Sequence, residues 1–420
     1  MCKRDYPELS TVKEVDIACS PFPVDCLPEG VRLCEKLGIV AVGAVDGYVV
    51  HRADIGLYEV RAVITPGGDY LVMFPAGYHY ASSPVKMNEM LMYRSHDRGE
   101  TWIGPERAFR IDYNQHGFIP LIPRGSDRIY CFGTQPVWEK YDRSGGRREN
   151  APIGYFYSDD DGRTWEGPVL IEPDNDPQFK GMSVTRMCET DRGTWILGAH
   201  EADWSYSPLH TRQYLLRSED RGKSWQLLPG KRPEGWCVKE YSRMDEGRVL
   251  NLGGDRVLFM IRTPEGHLWA SWSEDDGKTW SLPEPTSLIQ PDAPPMIELL
   301  PDGETIVCLH HNRHHDVDYL GLDSENEPLM KDRTEVWVSL SKDGGKTWSE
   351  PGYLFSNAAK PDLENAFRNH QCSYIDMFAD GNMLHLFVPH RWQQVLHLTI
   401  SIEELWRLPG KRELLAGRGL

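Results

Sequence analysis

Short apolar runs of about four to nine residues, broken by Gly, Pro and Asp, fill the chain, and segments with a 3.6-residue period are scarce before the C-terminal SIEELWRLPGKRELL. Six stretches repeat one pattern, an apolar strand, a polar turn and a second apolar strand: VRAVITPGGDYLVMF, GFIPLIPRGSDRIYCFG, SVTRMCETDRGTWILGA, RVLNLGGDRVLFMIR, PMIELLPDGETIVCL and SYIDMFADGNMLHLFV. Each predicts an antiparallel inner hairpin.

A second pattern alternates with the first. SHDRGETW, SDDDGRTW, SEDRGKSW, SEDDGKTW and SKDGGKTW begin at Ser95, Ser158, Ser218, Ser273 and Ser341. Intervals of that size suit one four-stranded sheet per repeat, arranged as propeller blades rather than solenoid turns. In the consensus S-x-D-x-G-x-[TS]-W the Asp accepts turn N–H groups, the Gly takes a backbone angle other residues resist, and the Trp packs the hairpin onto its blade. Five copies mark these Asp residues as structural, because one active site does not need five. The sixth hairpin has no box after it, so the N-terminal LGIVAVGAVDGYVVHR is expected to supply its missing strand and close the ring, hiding sheet edges. The expected fold is all-β: an N-terminal extension over 1–36 packing on a single six-bladed β-propeller over 37–405, then a C-terminal tail over 406–420.

Composition narrows the partners. Lys+Arg of 46 against Asp+Glu of 63 gives a net charge of −17, which argues against nucleic acid or an anionic membrane, so an anionic ligand must be held by local cations. No apolar run is long enough to span a bilayer, and MCKRDYPELSTVKEVD carries no h-region, which points to an untargeted, cytoplasmic chain. Nine cysteines, an odd count without a C-x-x-C pair, predict free thiols and no zinc site.

The five boxes on six hairpins resemble the sialidase and neuraminidase superfamily over roughly residues 55 to 400. That resemblance implies three arginines clamping a sialate carboxylate, a tyrosine nucleophile paired with a glutamate, and an aspartate acid/base. Glu246, followed by VLNLGGDRVLFMI and Arg262, matches the family's glutamate and second arginine, and Arg333 in RTEVWVSLS matches the third. The other positions depart. The first arginine falls at Tyr58, with Arg61 on the opposite strand face; the tyrosine falls at Cys372, with Tyr374 displaced by two; no aspartate occurs between Asp69 and Asp97.

What remains is coherent chemistry: Arg262 and Arg333 to hold a carboxylate, with Glu246 as base or as the group orienting a nucleophile. The structural alternative is that Arg262 and Glu246 pair with each other at a buried rim. Counting from the inner turns brings His116, His200, His310 and His390 with Arg391 to the same mouth, where a histidine can serve as acid, base or ligand. His79, between Tyr78 and Tyr80, and Trp204 and Tyr206 mark aromatic rim loops that stack on sugars or pack between blades. His310, His311, His314 and His315 with Asp316 and Asp318 match no metal motif and read as a polar loop, so neither metal nor cofactor is expected.

The function expected is an exo-acting glycoside hydrolase for a carboxylate-bearing sugar, sialic or uronic, acting on an acidic oligosaccharide or glycoside. Arg262, Arg333, Arg391, His390 and His79 would bind substrate. Glu246, His116, His200, His310, Tyr58 and Tyr374 would carry the chemistry. A uronate lyase using His and Tyr, and a non-catalytic glycan-binding propeller, are the alternatives.

Overall fold

The computed structural model describes residues 12–52, 59–76, 88–111, 118–134, 150–314, 331–358 and 371–416. Six antiparallel sheets form six blades, each starting from one of the apolar hairpins. The inner pairs are Arg61–Ile64 with Tyr70–Ala76, Ile119–Leu121 with Ile129–Thr134, Ser183–Val184 with Trp195–Asp203, Asp245–Asn251 with Val257–Arg262, Met296–Leu299 with Ile306–His310, and Asp376–Asp380 with Met383–His390. Burial falls from hub to periphery. The blade-four strand Val257–Arg262 is buried throughout, whereas the outer strand Glu284–Ile289 hides only Leu288. Apolar runs without alternation therefore became the strands covered on both faces.

The ring closes through the N-terminal segment, which divides its work between two blades. Asp46–Arg52 pairs with Gln394–Ser401 as the fourth strand of blade six. Ile39–Val42 instead extends blade five, pairing with Gly352–Asn357, and Val31–Cys34 pairs with it in turn. A hairpin of Glu14–Ile17 and Ser20–Pro23 turns at Ala18 and Cys19, whose N–H groups donate to the Glu335 carboxylate at 3.1 and 2.9 Å. The C-terminal stretch forms a 3-10 turn over Ile402–Arg407 and a helix over Lys411–Leu415. The eight cysteines among the described residues are free thiols.

All five boxes fold alike. In the fourth, Asp275 accepts the Thr279 N–H at 2.9 Å, the Thr279 hydroxyl at 2.7 Å and the Ser273 hydroxyl at 2.8 Å, while the Gly277 N–H donates to Ser273 Oγ at 2.9 Å. Gly277 has φ of +77°, the left-handed region that glycine enters without a Cβ penalty. Trp280 donates its indole N–H to the Gly277 carbonyl and packs edge-on against Phe259. The residue between Asp and Gly has a task the repeat pattern did not reveal. Asp276 reaches back to blade three, accepting from Arg217 at 3.1 Å and from the Thr194 hydroxyl. Asp161 does the same for Arg94 of blade one at 3.3 Å, and the Gly344 carbonyl accepts the indole N–H of Trp272 at 2.9 Å. The residue preceding one box is thus stapled to the next box. Ser273 pairs with Val257 at one end of the blade-four hairpin and Arg262 lies at the other end, which puts the boxes on the rim opposite Arg262.

Candidate active site

Glu246 opens the inner strand of blade four inside a bulge: Asp245 pairs with Arg262, and the register slips before Arg248. Its φ is +46°. Blade three holds the bulge. The Glu246 N–H donates to His200 Nδ1 at 3.4 Å, the Gly247 N–H donates to Gln213 Oε1 at 2.8 Å, and the Thr185 hydroxyl donates to the Gly247 carbonyl at 2.5 Å.

Tyr374 enters from the approach to blade six with φ of +62°. Its flanks are pinned: the Cys372 N–H donates to the Arg333 carbonyl at 2.8 Å, Ser373 shares a hydrogen bond with His311 Nε2 at 2.7 Å, and Asp376 accepts the Ala62 N–H at 2.8 Å. The phenol donates to Glu246 Oε1 at 3.0 Å and accepts from Arg262 Nη1 at 3.3 Å. The Arg333 guanidinium lies 5.8 Å from the ring centroid. Glu246, Arg262 and Arg333 are buried, Tyr374 keeps partial exposure, and Tyr374 and Glu246 are the members of the cluster that line the pocket. Glu59, Arg61, Arg186 and Asp376 face the same pocket.

Burial, and then the Glu246 charge beside it, push the Tyr374 phenol well above its ordinary pKa. It is a neutral donor whose hydrogen bond points its proton to Glu246, while Arg262 faces the oxygen on which negative charge would develop. Burial works against the charge on Arg262, but Asp292, Glu246 and Asp245 outweigh it and fix the cation. The Asp292 carboxylate accepts a hydrogen bond from Arg262 Nε at 2.7 Å and forms an ion pair with Arg243 Nη2 at 3.1 Å, and the Asp292 main-chain carbonyl accepts from Arg333 Nη2. Burial would raise the pKa of Asp292, yet Arg243, Arg262 and Arg333 hold it down.

The expected residues divide clearly. Glu246, Tyr374, Arg262 and Arg333 converge. Tyr58, His79 and His116 lie outside the described residues, as do Tyr78, Tyr80, His315, Asp316 and Asp318. The remaining histidines are not proton carriers at the mouth. His310 is fully buried between strands, donating from Nδ1 to the Ile289 carbonyl at 3.0 Å and accepting from Ser339 at 3.0 Å, and burial takes its pKa down to about 4. His390 is held between Asn357 at 3.2 Å and Gln394 at 2.9 Å and is likewise driven neutral by burial. Arg391 is buried, and its backbone N–H donates to the Gln371 carbonyl at 2.7 Å. His200 is buried as well and acts on the site through the Glu246 backbone. The offset count found the strand ends correctly, but strand ends near the hub of a propeller are interior. No cluster of metal ligands occurs among the described residues. Trp204 packs beside Met182, Ala202 and Leu209, and Tyr206 is exposed, stacked on His210 at 3.9 Å.

Three participants escaped sequence reading: Asp292, Arg243 and Glu59. Arg243 and Asp245 precede the glutamate in SRMDEG, and Asp292 stands in QPDAPP just before an apolar inner strand. A carboxylate inside a proline-rich connection entering the hub was the available signal.

Comparison with known proteins agrees with this fold. Residues 126–386 match the family described as BNR repeat-like domain. A sialidase of Bacteroides fragilis (strain YCH46) is 22% identical over 357 residues, 76% of this chain; the chain spans 60% of that relative's length. Among solved structures, the Hadza microbial sialidase Hz136 superposes with a TM-score of 0.61 at 16% identity, covering 85% of this chain and 68% of that one. The α-L-arabinanase of Penicillium chrysogenum complexed with arabinobiose gives 0.55 at 14% identity, covering 85% and 98%. The propeller is the fold of the sialidase-like glycoside hydrolases, and the chain belongs to the BNR repeat-like family of the sialidase superfamily.

Proposed function

We propose that this protein is an exo-acting glycoside hydrolase in which Tyr374 is the nucleophile and Glu246 the base that activates it. The observation that carries this reading is the phenol–carboxylate contact of 3.0 Å with Arg262 on the same phenolic oxygen. Tyr374 attacks the anomeric carbon, its proton passes to Glu246, and the glycosyl group is held on the phenolic oxygen until water releases it. Glu59 is the further carboxylate that lines the pocket, paired with Arg61 at 2.7 Å, and it is the candidate proton donor to the leaving oxygen.

Against a lyase, which needs a base beside the tyrosine, His200, His310, His311 and His390 among the described residues are committed to interior contacts. An acidic sugar would need Arg262 and Arg333 to exchange an internal carboxylate for its own. The test is hydrolysis of a panel of 4-methylumbelliferyl glycosides by the full chain and by Tyr374→Phe and Glu246→Gln. Turnover of one glycoside, lost by about 10²–10⁴-fold in both variants, supports the reading. Full activity in Tyr374→Phe removes it.

A further inference from the structure

Of the two arginines assigned to a ligand carboxylate, Arg262 already carries that of Asp292, whose main-chain carbonyl takes Arg333. Asp292 lies in the connection from the outer strand of blade four to the inner strand of blade five and is 1% exposed. Its loop is fixed, since Pro291, Pro294 and Pro295 restrict the backbone, and the Gln290 side chain donates to the Pro294 carbonyl at 3.1 Å and accepts the His311 N–H at 2.8 Å. Asp292 is thus built into place and does not swing.

Charge in the buried cluster is balanced. Arg243, Arg262 and Arg333 face Asp245, Glu246 and Asp292. The guanidiniums on the pocket floor are matched too: Arg61 by Glu59 at 2.7 Å, Arg186 by Asp376, and Arg248 by Glu298 at 3.0 Å. Among the described residues, each cation of this cluster and of the pocket floor faces a carboxylate of the protein, so a ligand carboxylate buried there would be strongly unfavourable. Arg333 Nε is buried without a hydrogen-bond partner, and a single N–H of that kind suits a hydroxyl.

We infer that Asp292 occupies the seat on Arg262 and Arg333 that a substrate carboxylate would take, so that the pocket accepts a neutral glycoside and turns away sialic and uronic acids. The inference rests on the hydrolase reading for the word substrate, but the exclusion of carboxylates stands on the charge balance alone.

Two measurements separate these. The first compares, in the full chain, hydrolysis of 4-methylumbelliferyl glycosides of sialic and glucuronic acid with those of neutral pentoses and hexoses. A preference of at least 100-fold for a neutral sugar is expected, and equal or better turnover of an acidic one overturns the inference. The second is calorimetric titration of free N-acetylneuraminate and D-glucuronate into the wild type and Asp292→Asn, with thermal melting to confirm folding. Asp292→Asn should bind at least one acid ten or more times tighter than the wild type. Wild-type binding as tight as the variant's, or no gain in a folded variant, overturns it. If no glycoside of either class is cleaved, the hydrolase reading fails while the titration still decides the exclusion. If Asp292→Asn does not fold, the wild-type titration decides it: millimolar or tighter binding of either acid overturns the inference, and its absence upholds it.

Discussion

Glu246 and Tyr374 both sit in the left-handed region, at φ of +46° and +62°, where a large side chain costs on the order of 1–3 kcal/mol. The surrounding hydrogen bonds from Gln213, Thr185, His311 and Arg333 impose that conformation, and its result is a phenol and a carboxylate in contact. Relieving it should show in function. Glu246→Gly keeps the backbone angle and Glu246→Gln keeps the shape, so both should fold, and both should lose activity by about 10²–10⁴-fold if the carboxylate is the base. Glu59→Gln should depress turnover of alkyl glycosides far more than of 4-methylumbelliferyl glycosides, whose leaving group needs no proton; equal losses would remove Glu59 as donor. Arg262 belongs to a different class. Arg262→Ala leaves three carboxylates around a vacated cation and should destabilise by about 3–5 kcal/mol, visible in urea unfolding, instead of raising KM in a folded enzyme. Glu246, Arg262 and Arg333 were legible in the sequence through the resemblance to the sialidase superfamily, whose pattern around the blade-four hairpin and before the fifth box they match. Tyr374 was displaced by two in that count because a left-handed turn breaks the periodicity on which counting depends.

At the scale of the blade, the Asp-box does two things with adjacent residues. Its Asp closes its own turn, and the residue after it ties the blade to the preceding one. The Arg217–Asp276 pair is buried, so Arg217→Ala and Asp276→Ala should each destabilise by about 3–5 kcal/mol, and a double-mutant cycle should return a coupling well above that of a surface pair. Additivity would show that the staple contributes nothing. The box Asp residues also set the acid limit. Hydrogen bonds from Thr101 hold Asp97 down to about 2, and those of Thr164 and Ser224 overcome burial to do the same for Asp160 and Asp220. A folded pKa below the unfolded value of about 3.8 means that the stabilisation is complete above pH 4 and lost as pH falls towards 2. Circular dichroism against pH should show this, and Asp220→Asn should flatten the dependence in proportion to its share. The turn chemistry of the box was legible because it is local; the staple was not, because it joins residues about sixty positions apart whose types vary from blade to blade.

For the whole molecule, closure depends on Asp46–Arg52 completing blade six and on Ile39–Val42 covering the edge of blade five. A chain starting after Arg52 should expose both edges and aggregate, and a monodisperse, folded truncation on size exclusion would contradict this role. Six hairpins and five boxes made the ring and its closing strand legible, but the division of the N-terminal segment between two blades was not, since either strand satisfies the same apolar pattern. Ring closure also explains the site. Five of the six blades deliver carboxylates and guanidiniums to one hub, and their mutual neutralisation leaves the Tyr374–Glu246 pair as its chemically poised feature. The direct test is peptide mapping by mass spectrometry after rapid quenching with an analogue of the cleaved glycoside, fluorinated beside the anomeric carbon. A glycosyl adduct on Tyr374, absent in Tyr374→Phe, is the result expected; an adduct on another residue, or turnover with inversion and no adduct, would contradict the mechanism.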